Sequence, residues 1–177
     1  MFRTKALVLH PFIKQSRGSK ELLLEEAISL VEAIELKCIF SSLVGIDNIN
    51  PKTYIKSGYV KFLKEKVVDL DAQLVFINTN LSPIQQRNLE KGTNCKIIDR
   101  TGLILEIFGS RAKSNEGKLS VSLASLKFQK SRLVRSWTHL ERQRGGAGFM
   151  GGPGEKQIES DRRQLTERIN RLKKKIN

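Results

Sequence analysis

The chain has 177 residues, 39% of them hydrophobic and 28% charged, enough for one domain with an appendage or for two small ones. Its 32 Lys and Arg against 18 Asp and Glu leave a net charge of +14, which points to an anionic partner, nucleic acid or an acidic membrane surface. The two cysteines, Cys38 and Cys95, lie in apolar runs without ligand-spaced histidines, which argues against a disulfide scaffold or a zinc site. No apolar run reaches the roughly 18 residues of a membrane span, and Met1 to Pro11 reads as a strand rather than a signal peptide. A cytoplasmic location is the expectation, with peripheral membrane contact left open.

In chain order, Lys5 to His10 is a β-rich run and Ser19 offers a helix cap. Leu23, Ala27, Leu30, Val31 and Ile34 then mark one face of a helix. Cys38 to Val44 reads as a second strand, Asn48 to Lys52 as a turn, and Val60, Leu63 and Val67 as the buried face of a second helix. Leu74 to Ile77 is continuously apolar, the mark of a strand covered on both faces. Ser82-Pro83-Ile84-Gln85 combines a cap, a first-turn proline and a capping-box glutamine, and Gly92 stands where a helix stop is wanted. Lys96 to Ile98 gives a fourth strand, and Leu103 to Phe108 a further helix. The fold class is therefore α/β, a small parallel sheet of about four strands flanked by helices.

Beyond Arg111 the pattern changes. Lys113-Ser114-Asn115-Glu116-Gly117 reads as a polar hinge, and Leu119, Leu123, Leu126, Leu133, Trp137 and Leu140 follow at helical spacing. The helical pattern resumes at Ile158, Leu165, Ile169, Leu172 and Ile176. One apolar stripe per helix predicts a long antiparallel pair, its first arm about 25 residues or roughly 38 Å. The expected domains are 1–112, α/β, and 113–177, a basic helical hairpin with a glycine-rich tip at 144–154. Residues 1–110 carry 15 Lys and Arg against 12 Asp and Glu, net +3; residues 111–177 carry 17 against 6, net +11. The excess charge belongs to the helices, whose apolar stripes are needed for each other rather than for a lipid surface. That favours nucleic acid.

The tip holds six glycines in ten residues, Gly145, Gly146, Gly148, Gly151, Gly152 and Gly154, which leave backbone N–H groups accessible and permit close approach to a ligand. Phe149 can stack on a base, Met150 lies beside it, and Arg142, Arg144, Lys156, Arg162 and Arg163 supply cations; these are the predicted RNA-binding residues. A flexible hairpin tip is the plainer alternative. The Gly146–Gly151 match to the dinucleotide pattern is rejected, because it follows a helix and closes no βαβ unit. His139 reads as a polar flank. No catalytic set and no metal-ligand cluster emerges. Asp99-Arg100-Thr101 at the end of the last strand sits where an α/β sheet binds ligands, although a structural use is favoured.

Several blocks together resemble the HflX family of GTPases: Leu81-Ser82-Pro83 with Gln86-Arg87-Asn88-Leu89-Glu90, Ile98 to Phe108, Trp137-Thr138-His139-Leu140, and Gly152 to Glu159 with Asp161-Arg162-Arg163. The resemblance implies the amino-terminal half of a translation-associated GTPase that binds the large ribosomal subunit and helps separate stalled ribosomes. It further implies that the hairpin's glycine-rich loop, here Arg144 to Lys156, touches ribosomal RNA near the peptidyl transferase centre. The chain departs from the family in having Gly151-Gly152 where many members carry an arginine before Gly-Pro-Gly-Glu, which shifts the expected contact to backbone N–H groups and Phe149. No G-x-x-x-x-G-K-[ST] occurs, so no cofactor is expected on these residues. The resemblance implies that GTP and Mg²⁺ belong to a GTPase domain after residue 177. Two alternatives stand beside this reading: ATP binding or hydrolysis by the α/β domain, and a regulatory module acting on its own GTPase domain.

Overall fold

The computed structural model describes residues 4–15, 18–143 and 153–176, with side chains for 4–15, 18–132 and 160–175. The elements are β1 (Lys5–Ile13), α1 (Lys20–Glu32), β2 (Lys37–Ile46), α2 (Ser57–Asp69), β3 (Leu74–Ile77), α3 (Pro83–Thr93), β4 (Lys96–Asp99), α4 (Arg100–Arg111), α5 (Asn115–Gln143) and α6 (Pro153–Ile176). The four strands form one parallel sheet in the order β2-β1-β3-β4. The α/β class and the four-stranded parallel sheet are as the sequence predicts. The chain divides into two compact units, Met1–Ile107 and Phe108–Asn177.

The first unit is three layers deep because its central strands are apolar on both faces. Side chains alternate across a strand. Leu7, Leu9, Val75 and Ile77 therefore pack with Val60, Leu63 and Val67 of α2 and Leu89 of α3. Ala6, Val8, Leu74 and Phe76 pack on the other side with Ala27 and Val31 of α1 and Leu103 and Ile107 of α4. Strand order reverses between β1 and β3, so the carboxyl ends of those two strands form the switch point of the sheet.

The differences from the predicted elements have local causes. β1 runs through Pro11 to Ile13, three residues beyond its predicted end. Its last pairing with β3 is Leu9 with Ile77, so Pro11, which lacks an N–H, continues beside β2 where no third strand runs. Of the predicted stripe of α1, Ala27, Leu30, Val31 and Ile34 pack inward, joined by Leu24 and Ile28, while Leu23 is left 43% exposed. Ser19 stands at its cap without a side-chain bond.

α3 does not stop at Gly92. It runs to Thr93 and is capped by Asn94, which takes the left-handed conformation (φ 53°) itself. Gly92 serves packing instead, since a Cβ there would come within 2.6 Å of Val60 Cγ1. At the other end of α3, Ser82 Oγ accepts from Gln85 N at 3.2 Å while Gln85 Oε1 accepts from Ser82 N at 2.9 Å, the capping box as predicted.

In the second unit the polar hinge is largely a helix start. Ser114 Oγ accepts from Gly117 N at 3.0 Å and caps α5, leaving only residues 112–114 between α4 and α5. α5 has 29 residues, about 43 Å at about 1.5 Å each, longer than the predicted arm. α5 and α6 pack against one another, and Ile169 is buried between half-buried Leu165 and Leu172. The turn that would make them an antiparallel hairpin is predicted at 144–154; residues 144–152 lie outside the described residues, and Pro153 and Gly154 already belong to α6.

Candidate nucleic-acid interface

Two places answer to the sequence-predicted sites, and they differ in what their polar groups do. The first is the carboxyl end of the sheet. Arg100 donates to Asn78 Oδ1 and to Glu26 Oε1, both at 2.8 Å. Asn78 Nδ2 donates to His10 Nδ1 at 3.1 Å and to the Leu23 carbonyl at 3.2 Å. Asp99 accepts from Gly102 N at 2.9 Å, capping α4, and from Leu81 N at 3.2 Å.

Asp99 and Arg100 therefore act structurally. One carboxylate ties the loop after β3 to the start of α4, and one guanidinium ties α1 to β3. Burial, aided by the charge of Arg100, holds the His10 imidazole below its ordinary pKa, which suits a neutral ring accepting through Nδ1. Among the described residues no buried side-chain nitrogen or oxygen lacks a partner, and no three His, Cys, Asp or Glu converge as a metal site. Directly bonded partners in this network lie up to 74 positions apart in the chain, and the sequence carries no pattern that joins them.

The second place is the helical unit. Of the predicted RNA-binding residues, Arg142 lies in the last turn of α5, and Gly154 and Lys156 lie in the first turn of α6. Arg144, Gly145, Gly146, Gly148, Phe149, Met150, Gly151 and Gly152 lie outside the described residues. Arg162 and Arg163 are exposed on α6, as are Arg168, Arg171, Lys173, Lys174 and Lys175. Between 160 and 175 the exposed acidic residue facing these seven cations is Glu167.

The four ion pairs within 4 Å among the described residues all belong to the α/β unit, so Glu167 and Arg171 do not close the i,i+4 pair that their spacing permits. The described cations of α6, Arg162 to Lys175, stand toward solvent, available to an anionic partner. On α5, Lys118 and Lys127 are also exposed and Arg132 lies 4.4 Å from the Phe128 ring centroid, a basic-aromatic pair that the sequence reading passed over. No helix among the described residues is long and apolar enough to cross a membrane.

Comparison with known proteins places this geometry. Residues 21–109 match the family model of the GTP-binding GTPase N-terminal region, and residues 111–177 match that of the GTP-binding GTPase middle region. The GTPase HflX of Magnetococcus marinus is 50% identical over 92% of this chain, and that of Escherichia coli K12 is 41% identical over 97% of it. The chain spans 38% and 40% of the lengths of those two relatives. Among solved structures, a GTP-binding protein from the archaeon Sulfolobus solfataricus in complex with GDP aligns with a TM-score of 0.65 at 25% identity, over 99% of this chain and 45% of that one. A GDP complex of SsGBP aligns with a TM-score of 0.69, again at 25% identity, over 99% of this chain and 43% of that one. With two adjoining models of one GTPase family covering its two units, and relatives this similar along nearly its whole length, the chain belongs to the HflX family of GTPases.

Proposed function

We propose that this chain is the ribosome-binding portion of an HflX-type GTPase, acting in the cytoplasm on the large ribosomal subunit to separate or rescue ribosomes. α5 and α6 supply affinity for ribosomal RNA, and the glycine-rich segment 144–154 is set against RNA near the peptidyl transferase centre. GTP and Mg²⁺ belong to a GTPase domain of the whole protein, which is also a partner of this portion. The observation that carries the reading is the division of charge. Residues 111–177 hold a net +11 against +3 for residues 1–110, and the described cations of α6 are exposed and form no ion pair among the described residues. Phosphate contacts of that kind position a protein on RNA, while backbone N–H groups and a stacking aromatic such as Phe149 suit a crowded single-stranded site.

A photo-crosslinking residue placed at position 149 and irradiated with isolated large subunits tests it. The expected product is an adduct to ribosomal RNA; adducts to protein alone, or none, would overturn the RNA contact. The reading that gives ATP chemistry to the α/β domain has no specific observation in its favour, since Asp99 and Arg100 are engaged in holding the fold.

A further inference from the structure

β2 forms one edge of the sheet. β1 runs along one side of it over nearly its full length, and among the described residues no backbone hydrogen bond reaches the other side. Lys14 N donates to Ile46 O at 3.1 Å, which fixes the direction of the peptide groups. By two-residue alternation Val44, Ser42 and Phe40 also face β1, and Ser41, Leu43 and Gly45 turn their N–H and C=O groups outward.

Proteins commonly protect such an edge by keeping it short or by placing charges or proline along it. The opposite edge, β4, is short at four residues. β2 has ten, and from Cys38 to Ile46 it contains neither a charged residue nor a proline. The register shift that interrupts its ladder lies at its start, opposite Ala6 and Leu7. The remainder is a regular template for another strand, on which the Leu43 carbonyl also accepts from the Ser42 hydroxyl at 3.2 Å.

Its surroundings indicate what would pair there. Phe40 and Phe62 lie beside the edge with ring centroids 6.2 Å apart, Phe62 is 36% exposed, and Lys66 Nζ stands 6.0 and 5.6 Å from the two rings. Lys37 is exposed at the start of the strand, and Lys14 and Lys56 at its end share the single carboxylate of Asp47. Against these four lysines stand Asp47, Glu32, which is close enough to Cys38 to influence its thiol, and Glu35, exposed two residues before Lys37. The rim is positive. A second copy of β2 would bring lysines against lysines, whereas an acidic strand would complement them. RNA phosphates would answer the lysines but not the alternating row of backbone donors and acceptors.

We propose that β2 binds an extended, acidic segment of a partner protein as a fifth strand, paired through the backbones of Ser41, Leu43 and Gly45. Main-chain bonds give the affinity, and the lysines with the Phe40–Phe62 pair select apolar residues alternating with carboxylates.

The test is an NMR titration of the isotope-labelled chain with an octapeptide of alternating valine and glutamate, and with its lysine-for-glutamate counterpart. The acidic peptide is expected to shift the amides of Ser41, Leu43 and Gly45 and to slow their hydrogen exchange, while the lysine peptide leaves them unchanged. Lys37→Glu with Lys66→Glu, the first exposed and the second half-buried, both outside the core, is expected to weaken binding about tenfold, an effect of about 1.4 kcal/mol. No shift at these amides, equal binding of both peptides, displacement of the acidic peptide by a single-stranded RNA oligonucleotide, or dimerisation of the free chain through β2 would each overturn the proposal.

Discussion

The two units of this chain place their polar groups in opposite ways. In the α/β unit, Asp99, Arg100, Asn78 and His10 are turned inward and bonded to one another or to the backbone, so polarity there holds elements together. In the helical unit, Arg162, Arg163, Arg168 and Arg171 are turned outward, and the contact between helices falls to the stripe of Leu165, Ile169 and Leu172. The same residue type thus has two uses. An arginine held by an asparagine and a glutamate fixes a fold, and an arginine on an open helix face is free to meet a phosphate.

The difference predicts that stability and RNA affinity separate by unit. The largest effect is expected from Phe76→Ala, which empties a fully buried position between the sheet and α1 and α4. It should lower unfolding free energy by about 3–5 kcal/mol, measured by chemical denaturation. Asp99→Ala comes next, because it leaves Leu81 N and Gly102 N without their carboxylate; a loss of about 2 kcal/mol is expected, with part restored in Asp99→Asn. Ser82→Ala removes one half of the capping box and should cost about 1 kcal/mol. In each case the folded variant should bind large subunits like the parent. A stable variant of this set that had lost binding would break the division between the units.

The smallest effect concerns pH. The His10 pKa is lowered in the folded chain, so folding favours the neutral ring. Its contribution is present above the unfolded value of about 6.5 and is lost as pH falls through the lower folded value. Denaturation series across that range should show stability declining toward acid, and His10→Gln should flatten the decline. Unchanged slopes would show that the ring is not held neutral.

The fold was legible where a pattern is local. The apolar run Leu74–Ile77 and the Ser82–Gln85 cap each carry their signal within a few residues, and both stand in the structure where the sequence places them. Legibility failed where the deciding partner is distant. Pro11 reads as a strand end, yet it is tolerated because β3 stops two residues earlier on that side. In the run Leu22-Leu23-Leu24, spacing alone does not choose the buried leucine; the sheet above α1 chooses Leu24. Gly92 looks like a helix stop, but Val60 on another helix sets its use.

The candidate site divides in the same manner. Its charge was visible in composition, and the exposure of Arg163 follows from its place opposite the stripe of α6, whereas Arg162, three residues before Leu165 and seven before Ile169, is exposed along the line of the stripe itself. The absence of an ion pair between Glu167 and Arg171 was not visible, because helical spacing permits that pair without requiring it. The open edge of β2 was also hidden, since strand order is a property of the assembled sheet rather than of any segment.

The most direct test of the central claim is the salt dependence of binding to isolated large ribosomal subunits, for the parent chain and for Arg162→Glu with Arg163→Glu. If the helical unit neutralises about six phosphates, the logarithm of affinity should fall against the logarithm of salt with a slope of about −5. The double variant should bind more weakly with a shallower slope while keeping the parent's unfolding midpoint. A salt-independent association, or a variant whose affinity and slope match the parent's, would contradict the assignment of RNA binding to the cations of the helical unit.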